Sequence, residues 1–362
     1  SSGVIGLDNA KPLVFLNWFS FVPDIPGKGK KGHSQINKYV NEILNANDIV
    51  KTPIMIENED FHKRSTYVFD RGNWLQPTKK VKPNVPEILN SWKQEWEMNR
   101  LGLAQWIVDK DNSLTSRTVV NRIWNQIFGR GIVSTIEDMG TQSEPPSHPA
   151  LLDWMSVHFI NEQNWSLKSL IKSIVLSGTY QQNSIIDEKN YQKDPLNLYY
   201  ARGPKLRLKA EEVRDQALAV SGLLSSKMGG PAVKPPSPKN YGKHRYGADT
   251  WIDSEGEDKY RRAVYTYQKR TIPYPSFLVF DAGTREVCLT NRISTNTPLQ
   301  ALITMNDPVY VEAAYYLAKN YLDNNNIEDV IKAMYKKATF KKINNVKWKS
   351  VGSFGQSFLL FK

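Results

Sequence analysis

Apolar side chains recur three and four positions apart along much of the chain, and this spacing predicts amphipathic α-helices. Between residues 115 and 175 three such segments follow one another with short connections, which predicts a compact helical bundle. Serine and threonine side chains mark the expected helix starts, because they accept hydrogen bonds from the free N–H groups of a first turn. The predicted helices are 34–49, 99–108, one capped by Thr115 and ended by Gly129, one capped by Ser147 with Pro149 in its first turn, one starting at Ser166, 209–224, one capped by Thr297 with Pro298 in first position, and one restarting at Pro308 towards Asn320.

Three shorter segments have the composition of β-strands. They are Ser65–Phe69, Arg261–Gln268 and Glu286–Arg292, and the last two predict a small sheet against the helices. The proline- and glycine-rich stretch from Gly229 to about Asp258 predicts a long surface loop. The fold class that follows is mainly α: a helical bundle-like domain with a small accessory antiparallel β-sheet and long loops.

The bulk properties exclude several classes of protein. The chain has 362 residues, of which 40% are hydrophobic and 23% charged, as in ordinary globular proteins. No apolar run approaches the roughly 20 residues of a membrane-spanning helix, so no span is predicted. A single cysteine, Cys288, excludes an internal disulfide, a cysteine-rich zinc site and a two-cysteine haem attachment. We therefore predict no metal site and no cofactor in this chain.

The formal net charge of +12 suits an anionic partner. Such a field attracts nucleic acid, acidic polysaccharide or an anionic surface. The excess charge is spread along the chain, however, and the lysine-rich last 43 residues lack the aromatic-basic pattern of a single-strand binder. The pattern therefore favours a solvated lysine-rich surface over nucleic acid as a partner.

A polar stripe runs beside the apolar face of the helix that follows residue 115. Arg117, Asn121 and Asn125 lie four residues apart, with Arg122 alongside. Guanidinium and amide groups in this arrangement can bind a carboxylate, a sulfate or sugar hydroxyls. The alternative is an internal network that ties this helix to its neighbours, because buried polar groups are ordinarily satisfied within the fold.

A second cluster combines two carboxylates with a guanidinium. Glu211, Arg214 and Asp215 share one side of a predicted helix. Glu211 or Asp215 can act as a general base if its surroundings move its pKa towards neutrality. The alternative is a structural ion pair within the helix.

Two further candidates stand alone or in a strand-like segment. His148, at a predicted helix start, can donate to an anion or relay protons, or it simply closes a loop. If Glu286–Arg292 is a strand, Cys288 and Arg292 share one of its faces while Arg285 lies on the other, and Asn296 follows closely. Cys288 is then either a thiolate between cations or a small buried apolar residue.

Five strings of residues resemble one known family. They are VNRIWNQIFGRGIV at 120–133, EPPSHPALLDWM at 144–155, TYQQNS at 179–184, RLKAEEVRD at 207–215 and TNTPLQALITMND at 295–307. In this order they resemble the planctomycete-type PSD domain family, domain of unknown function fifteen-fifty-three, from about Tyr67 to Lys337. The resemblance implies three regions: 1–60, an irregular and helical remnant of a preceding region; 61–340, the PSD-type domain; and 341–362, an atypical tail.

The resemblance also implies a setting, though no reaction. Members typically form the C-terminal part of large exported proteins, often after a planctomycete cytochrome c domain, and their genes often lie near sulfatases and polysaccharide-degrading enzymes. It implies an extracytoplasmic location, periplasmic or at the cell surface. It also implies the preceding domains of the parent protein as partners, one of which can carry haem c.

Three interpretations of function follow. The leading one is an exported accessory domain in a multidomain protein, which binds a partner domain or a polyanionic glycan. The group Arg117, Arg122 and Arg214 suits recognition of the sulfates or carboxylates of such a glycan. The second is a hydrolase or lyase that acts on polysaccharide with Glu211 or Asp215 as base. The third is a purely structural scaffold, and the sequence leaves open whether the chain is an enzyme.

Overall fold

A computed structural model gives the fold. The structure describes residues 57, 64–86, 88–238, 241, 251–269, 272–321, 326–344 and 348. The predicted helix over 34–49 lies outside these residues. The predicted region boundaries near residues 60 and 340 stay predictions.

Helices dominate the described residues, and this confirms the mainly α prediction. They contain ten α-helices and one small antiparallel sheet. The strands are β1 (Thr66–Phe69) and β2 (Pro77–Val81). The α-helices are α1 (Arg100–Ile107), α2 (Ser113–Phe128), α3 (Pro149–Asn161), α4 (Leu167–Val175), α5 (Glu188–Lys193), α6 (Ala210–Ser221), α7 (Pro275–Val279), α8 (Pro298–Asn306), α9 (Pro308–Lys319) and α10 (Ile327–Thr339). None of the described helices is both long and apolar enough to cross a membrane.

The chain forms two compact units, and the boundary between them falls at Arg117 and Thr118, inside α2. In the first unit β1 pairs with β2, with Thr66 opposite Val81. This confirms the predicted strand over 65–69. Helix α1 begins after Asn99, whose side chain accepts the Gly102 N–H at 3.0 Å.

The main core of the second unit lies between α2, α3 and α4, as the apolar periodicity predicts. Trp124 and Phe128 of α2 stack with ring centroids 4.4 Å apart. The buried side chains of this core are Val120, Trp124, Phe128, Ile132, Val133, Leu152, Met155, Phe159, Leu170, Ile174 and Tyr200. A smaller cluster, formed by Ala210, Ala263, Tyr274 and Phe277, lies where α6 packs against α7.

Most predicted helix starts are confirmed, and two are shifted. Ser166 caps α4, Thr297 precedes Pro298 of α8, and α9 starts at Pro308. Helix α2 starts two residues earlier than Thr115, because the Asn112 side chain accepts the N–H groups of Leu114 and Thr115, both at 3.2 Å. His148, not Ser147, is the cap residue before Pro149 of α3.

The prediction of strands at 261–268 and 286–292 was wrong. Ala263–Tyr265 is a short 3₁₀-helix, and Thr266 makes a single parallel bridge to Val233. The second segment holds no strand, and Cys288 within it is exposed. Strand-like composition favours a half-buried extended chain, but a sheet also needs a neighbouring backbone with free groups. Cys288 and Arg292 therefore share no strand face.

Candidate functional site

The polar stripe of α2 is partly used inside the fold. Asn121 is completely buried. Its side chain accepts the Val133 N–H and donates to the Val133 carbonyl, both at 2.9 Å, and so ties α2 to the chain that follows it. Asn125 is also buried, Arg117 is half-buried, and Arg122 is exposed. Of the predicted ligand-binding residues on α2, Arg122 is the one with a solvent-facing side chain.

Glu211 and Arg292 form a two-point ion pair. The two terminal nitrogens of Arg292 donate to the two carboxylate oxygens of Glu211 at 2.7 and 3.1 Å. Burial works to raise the pKa of Glu211, but the hydrogen bonds from Arg292 and the charges of Arg292 and Arg285 outweigh it, so this pKa lies below its usual value. The structure thus brings two predicted site residues, Glu211 and Arg292, into direct contact.

Arg214 and Asp215 face a different neighbourhood from Glu211. Arg214 is fully buried and donates to the carbonyls of Arg261 at 2.7 Å and Lys259 at 2.8 Å. Asp215 accepts the Ala263 N–H at 2.7 Å, and burial raises the pKa of its carboxyl. Because Arg214 is buried and Arg122 is exposed, the two guanidinium groups cannot hold one solvent-borne ligand together.

The remaining candidates are dispersed. Arg285, Cys288 and Asn296 are all exposed. His148 packs its ring near those of Tyr199 and Tyr200, with centroids 6.1 and 5.6 Å away. The imidazole therefore lies beside Tyr199 and Tyr200 rather than beside the carboxylates of α6.

A pocket of about 310 Å³ opens next to these tyrosines, between the end of α2 and the segment from Ser184 to Leu206. It is lined by Phe128, Gly129, Arg130, Ser184, Ile186, Tyr191, Pro195, Leu196, Asn197, Tyr200, Arg202, Gly203, Pro204, Lys205 and Leu206. Three of these residues are cations, three are aromatic, and none is acidic. We call it the cationic pocket.

Side-chain hydrogen bonds to the backbone shape the rim of the cationic pocket. The Asp194 carboxylate accepts the N–H groups of Leu198 and Tyr199 at 2.8 and 2.9 Å. Arg202 donates to the carbonyls of Asp194 and Pro195 at 3.0 and 2.7 Å. The Arg202 guanidinium is thus held by backbone groups, and among the described residues it forms no ion pair with a carboxylate.

The sequence model of a family described as PSD1, Protein of unknown function (DUF1553), matches residues 99–354. The chain belongs to this family. The match confirms the family that the five motifs indicate. It covers all ten α-helices of the described residues, the cationic pocket and every candidate residue on α2 and α6. No curated protein and no solved structure matches the chain.

Within this PSD1 domain the cationic pocket is the feature that our sequence analysis missed. Arg130 lies in the first family motif and Ser184 in the third, but nothing in their spacing places them together. Asn197 and Tyr200 adopt left-handed backbone angles, with φ of 54° and 52°, and these turns bring the rim back towards α2. The nearest local signal is the run of tyrosine, arginine and lysine residues between 191 and 205.

The other features of the described residues carry less chemistry. A more open cavity of about 430 Å³ in the first unit has Lys93 as its cation, and this lysine is already paired with Asp109. Among the described residues, no three or more histidine, cysteine, aspartate or glutamate side chains form a group that could hold a metal ion.

Proposed function

We propose that this chain is an accessory domain of an exported multidomain protein and that it binds an anionic polysaccharide in the cationic pocket. The observation that carries the proposal is the lining of that pocket, which combines three cations and three aromatic rings with no carboxylate. Pockets of about 300 Å³ and more with a few converging polar groups are typical of small-ligand sites.

The charges suit the acidic group of a sugar. Lys205 is exposed and offers an ammonium group, which acts as a point charge towards a carboxylate or a sulfate. Arg130 is half-buried, and its contact with exposed Glu144 is long, at 3.5 Å, so its guanidinium can turn to a ligand. A guanidinium can bind a carboxylate or sulfate through two parallel hydrogen bonds.

The aromatic rings suit the apolar faces of a sugar ring. Tyr191 is exposed over 41% of its surface and lies beside the Arg202 guanidinium, 5.6 Å from the ring centroid. Tyr199, next to the lining residue Tyr200, is exposed over 70%. Exposed aromatic side chains around a polar pocket are more typical of a binding surface than of a solvated one.

The cellular setting in this proposal rests on the family resemblance. The extracytoplasmic location and a cytochrome c domain with haem c earlier in the parent protein come from that resemblance alone. In the proposal the chain itself holds no cofactor, and the preceding domains are its protein partners.

The proposal is tested by titrating the purified protein with alginate, which carries carboxylates, with a sulfated carrageenan and with neutral dextran, by isothermal calorimetry. We expect the protein to bind at least one of the acidic polymers and not dextran. The double variant Arg130→Gln, Lys205→Gln should weaken that binding about 30-fold, because two exposed charge-assisted contacts are worth about 1 kcal/mol each.

The matched control is the double variant Lys168→Gln, Lys172→Gln, which removes the same charge from exposed positions on α4. It should bind as the unaltered protein does. If both double variants lose the same affinity, the attraction is a property of the total charge and the pocket assignment is wrong. If neither acidic polymer binds, the proposed function itself is wrong.

A hydrolase or lyase is the second candidate, and one observation favours it. Glu211 and Arg292 form a half-buried pair, and Asp215, one helical turn further along α6, has a raised pKa because of burial. The same polymers can be incubated with the protein while reducing ends are measured. Release of reducing ends that stops in Glu211→Gln or Asp215→Asn would support the enzyme. If the protein neither binds nor cleaves the polymers, the structural scaffold is the interpretation that is left.

A further inference from the structure

A buried polar cluster joins α6, α7 and α9 and uses none of the residues of the cationic pocket. It consists of Arg214 of α6, Ser276 of α7, and Asp307 and Tyr310 at the start of α9. Their exposed fractions are 0%, 1%, 3% and 7%, so all four are more than nine-tenths buried. Helix α6 packs against both α7 and α9, and the four side chains therefore enter the same interior.

Each of these four side chains has one polar atom that finds no hydrogen-bond partner among the described residues: Arg214 Nε, Ser276 Oγ, Asp307 Oδ2 and the Tyr310 hydroxyl. The other ends of the two charged groups are occupied. The terminal nitrogens of Arg214 donate to backbone carbonyls, and Asp307 Oδ1 accepts the Val309 N–H at 3.0 Å. A buried polar atom left unpaired costs about 1–3 kcal/mol, so four within one cluster indicate an occupant that pairs them.

The cluster is close enough for its members to act on one another, but its two charges do not touch. Burial raises the pKa values of both Asp307 and Tyr310; the neighbouring Ser276 side chain works to lower that of Tyr310, and the positive charge of Arg214 works to lower both. Among the described residues, the carboxylate oxygen within ion-pairing distance of Arg214 is Asp215 Oδ1, at 4.0 Å, and not an oxygen of Asp307. The nitrogens of the Arg214 guanidinium and the oxygens of the Asp307 carboxylate are therefore more than 4.0 Å apart.

The chemistry of the unpaired atoms selects the occupant. Arg214 Nε can only donate and Asp307 Oδ2, when ionised, can only accept, while the hydroxyls of Ser276 and Tyr310 can do either. An anion would be repelled by Asp307, and a cation would be repelled by Arg214. A small neutral molecule that both donates and accepts hydrogen bonds meets all four atoms without an uncompensated charge.

We propose that this cluster is an internal hydration site, in which at least one ordered water molecule bridges Arg214 Nε and Asp307 Oδ2 and hydrogen-bonds to the Tyr310 or Ser276 hydroxyl. Buried waters typically make about three hydrogen bonds to polar groups that would otherwise be unsatisfied. Such a water bridge connects α6 to the start of α9 and is part of the folded structure.

The variant Tyr310→Phe tests the proposal through the sign of its effect. If the hydroxyl were truly unpaired, removing it would raise the melting temperature, because an unsatisfied buried group would be lost. If it is bonded to water, removing it leaves that water with one partner fewer. We expect Tyr310→Phe to lower the melting temperature by roughly 2–4 °C, and Ser276→Ala to do the same if the water bonds to Ser276 as well.

Tyr315→Phe is the control, because Tyr315 lies on the same helix with 61% of its surface exposed. The melting temperature of this variant should equal that of the unaltered protein. A rise or no change in Tyr310→Phe would overturn the proposal, and a fall supports it only together with the crystal structure, because the Tyr310 hydroxyl also lies beside that of Ser276. A crystal structure of the unaltered protein gives a second test, in which we expect a water peak within about 3.2 Å of both Arg214 Nε and Asp307 Oδ2. Direct contact between these side chains, an empty gap or a bound ion would each overturn it.

Discussion

At the scale of single residues, the pair of Glu211 and Arg292 shows how two groups 81 positions apart set each other's charge. Its side chains are 21% and 31% exposed, so solvent screens the pair only in part. The pKa of Glu211 is lowered in the folded protein, although burial alone would raise it. A carboxyl with a lowered pKa stabilises the fold at pH values above its unfolded pKa and stops doing so as the pH falls through its folded pKa.

We expect the variant Arg292→Gln to lose about 1 kcal/mol of unfolding free energy at pH 7, the upper end for a partly exposed ion pair. The deficit should shrink below about pH 4.3, the ordinary pKa of a glutamate, and vanish once Glu211 is protonated in the folded protein as well. Urea unfolding between pH 3 and pH 7 measures it.

Arg122→Gln, the same chemical change at an exposed position of α2, is the control and should leave unfolding unchanged throughout. A deficit in Arg292→Gln that stayed constant down to pH 3 would mean that Arg292 acts through packing rather than through its charge.

The sequence predicts which polar residues take part in internal hydrogen bonds better than it predicts the partners in those bonds. Asn121 and Arg214 were singled out by helical spacing, and both are fully buried. Their partners, Val133, Lys259 and Arg261, are contacted through backbone atoms. A backbone carbonyl or N–H carries no side-chain signature, so no pattern of residue types could have revealed these bonds.

At the scale of elements, the end of α2 packs against one wall of the cationic pocket. Gly129 follows the helix with φ of +78°, a left-handed conformation that favours glycine. A methyl group added there would collide with the Leu206 side chain, which lines the pocket. The helix end and the pocket wall are therefore in contact through a glycine.

The variant Gly129→Ala should lose more than 1 kcal/mol of unfolding free energy, since the left-handed conformation alone costs about 1–2 kcal/mol for a residue with a side chain. Gly222→Ala measures that backbone cost alone, because Gly222 has φ of +83° and open space around it. Adding Leu206→Ala to Gly129→Ala should remove the part of the loss that comes from the collision.

Gly178→Ala is the neutral control, because Gly178 has open space and no positive φ, so its effect should stay within about 0.5 kcal/mol. Urea unfolding of the four variants gives the comparison. An equal loss in Gly129→Ala and Gly222→Ala would show that Leu206 moves aside at no cost.

The positions of the helices were more predictable than those of the strands, of which the one over 65–69 is confirmed and two are wrong, for a physical reason. A helix satisfies its backbone within one stretch of chain, so the apolar period of α2, α3 and α4 and caps such as Ser166 are local signals. A strand depends on its neighbour. The segment 261–268 has the composition of a strand but finds only the single bridge to Val233, whereas proline-led β2 pairs with β1.

At the scale of the whole molecule, a formal charge of +12 attracts any polyanion at long range. Attraction of this kind depends on the number of charges and not on their arrangement. The proposed binding in the cationic pocket depends instead on particular residues. The two kinds of binding can therefore be separated by comparing two polyanions.

We expect duplex DNA to bind weakly at low salt and to lose that binding by about 0.15 M salt, where surface charges are screened beyond roughly 8 Å. The double variants at Arg130 with Lys205 and at Lys168 with Lys172 should reduce DNA binding equally. Fluorescence anisotropy with a labelled duplex measures this. DNA binding that persisted at 0.15 M salt and depended on Arg130 and Lys205 would make nucleic acid the better ligand for the pocket.

The rim of the cationic pocket has little regular structure, yet Asp194, Asn197 and Arg202 fix its backbone at several points. Asn197 donates to the Arg202 carbonyl at 2.9 Å and accepts the Arg202 N–H at 3.3 Å. A segment already held in this way loses little conformational entropy when a ligand arrives. A ligand that binds at the rim would therefore keep most of the binding free energy of its contacts, because little of it is offset by ordering the chain.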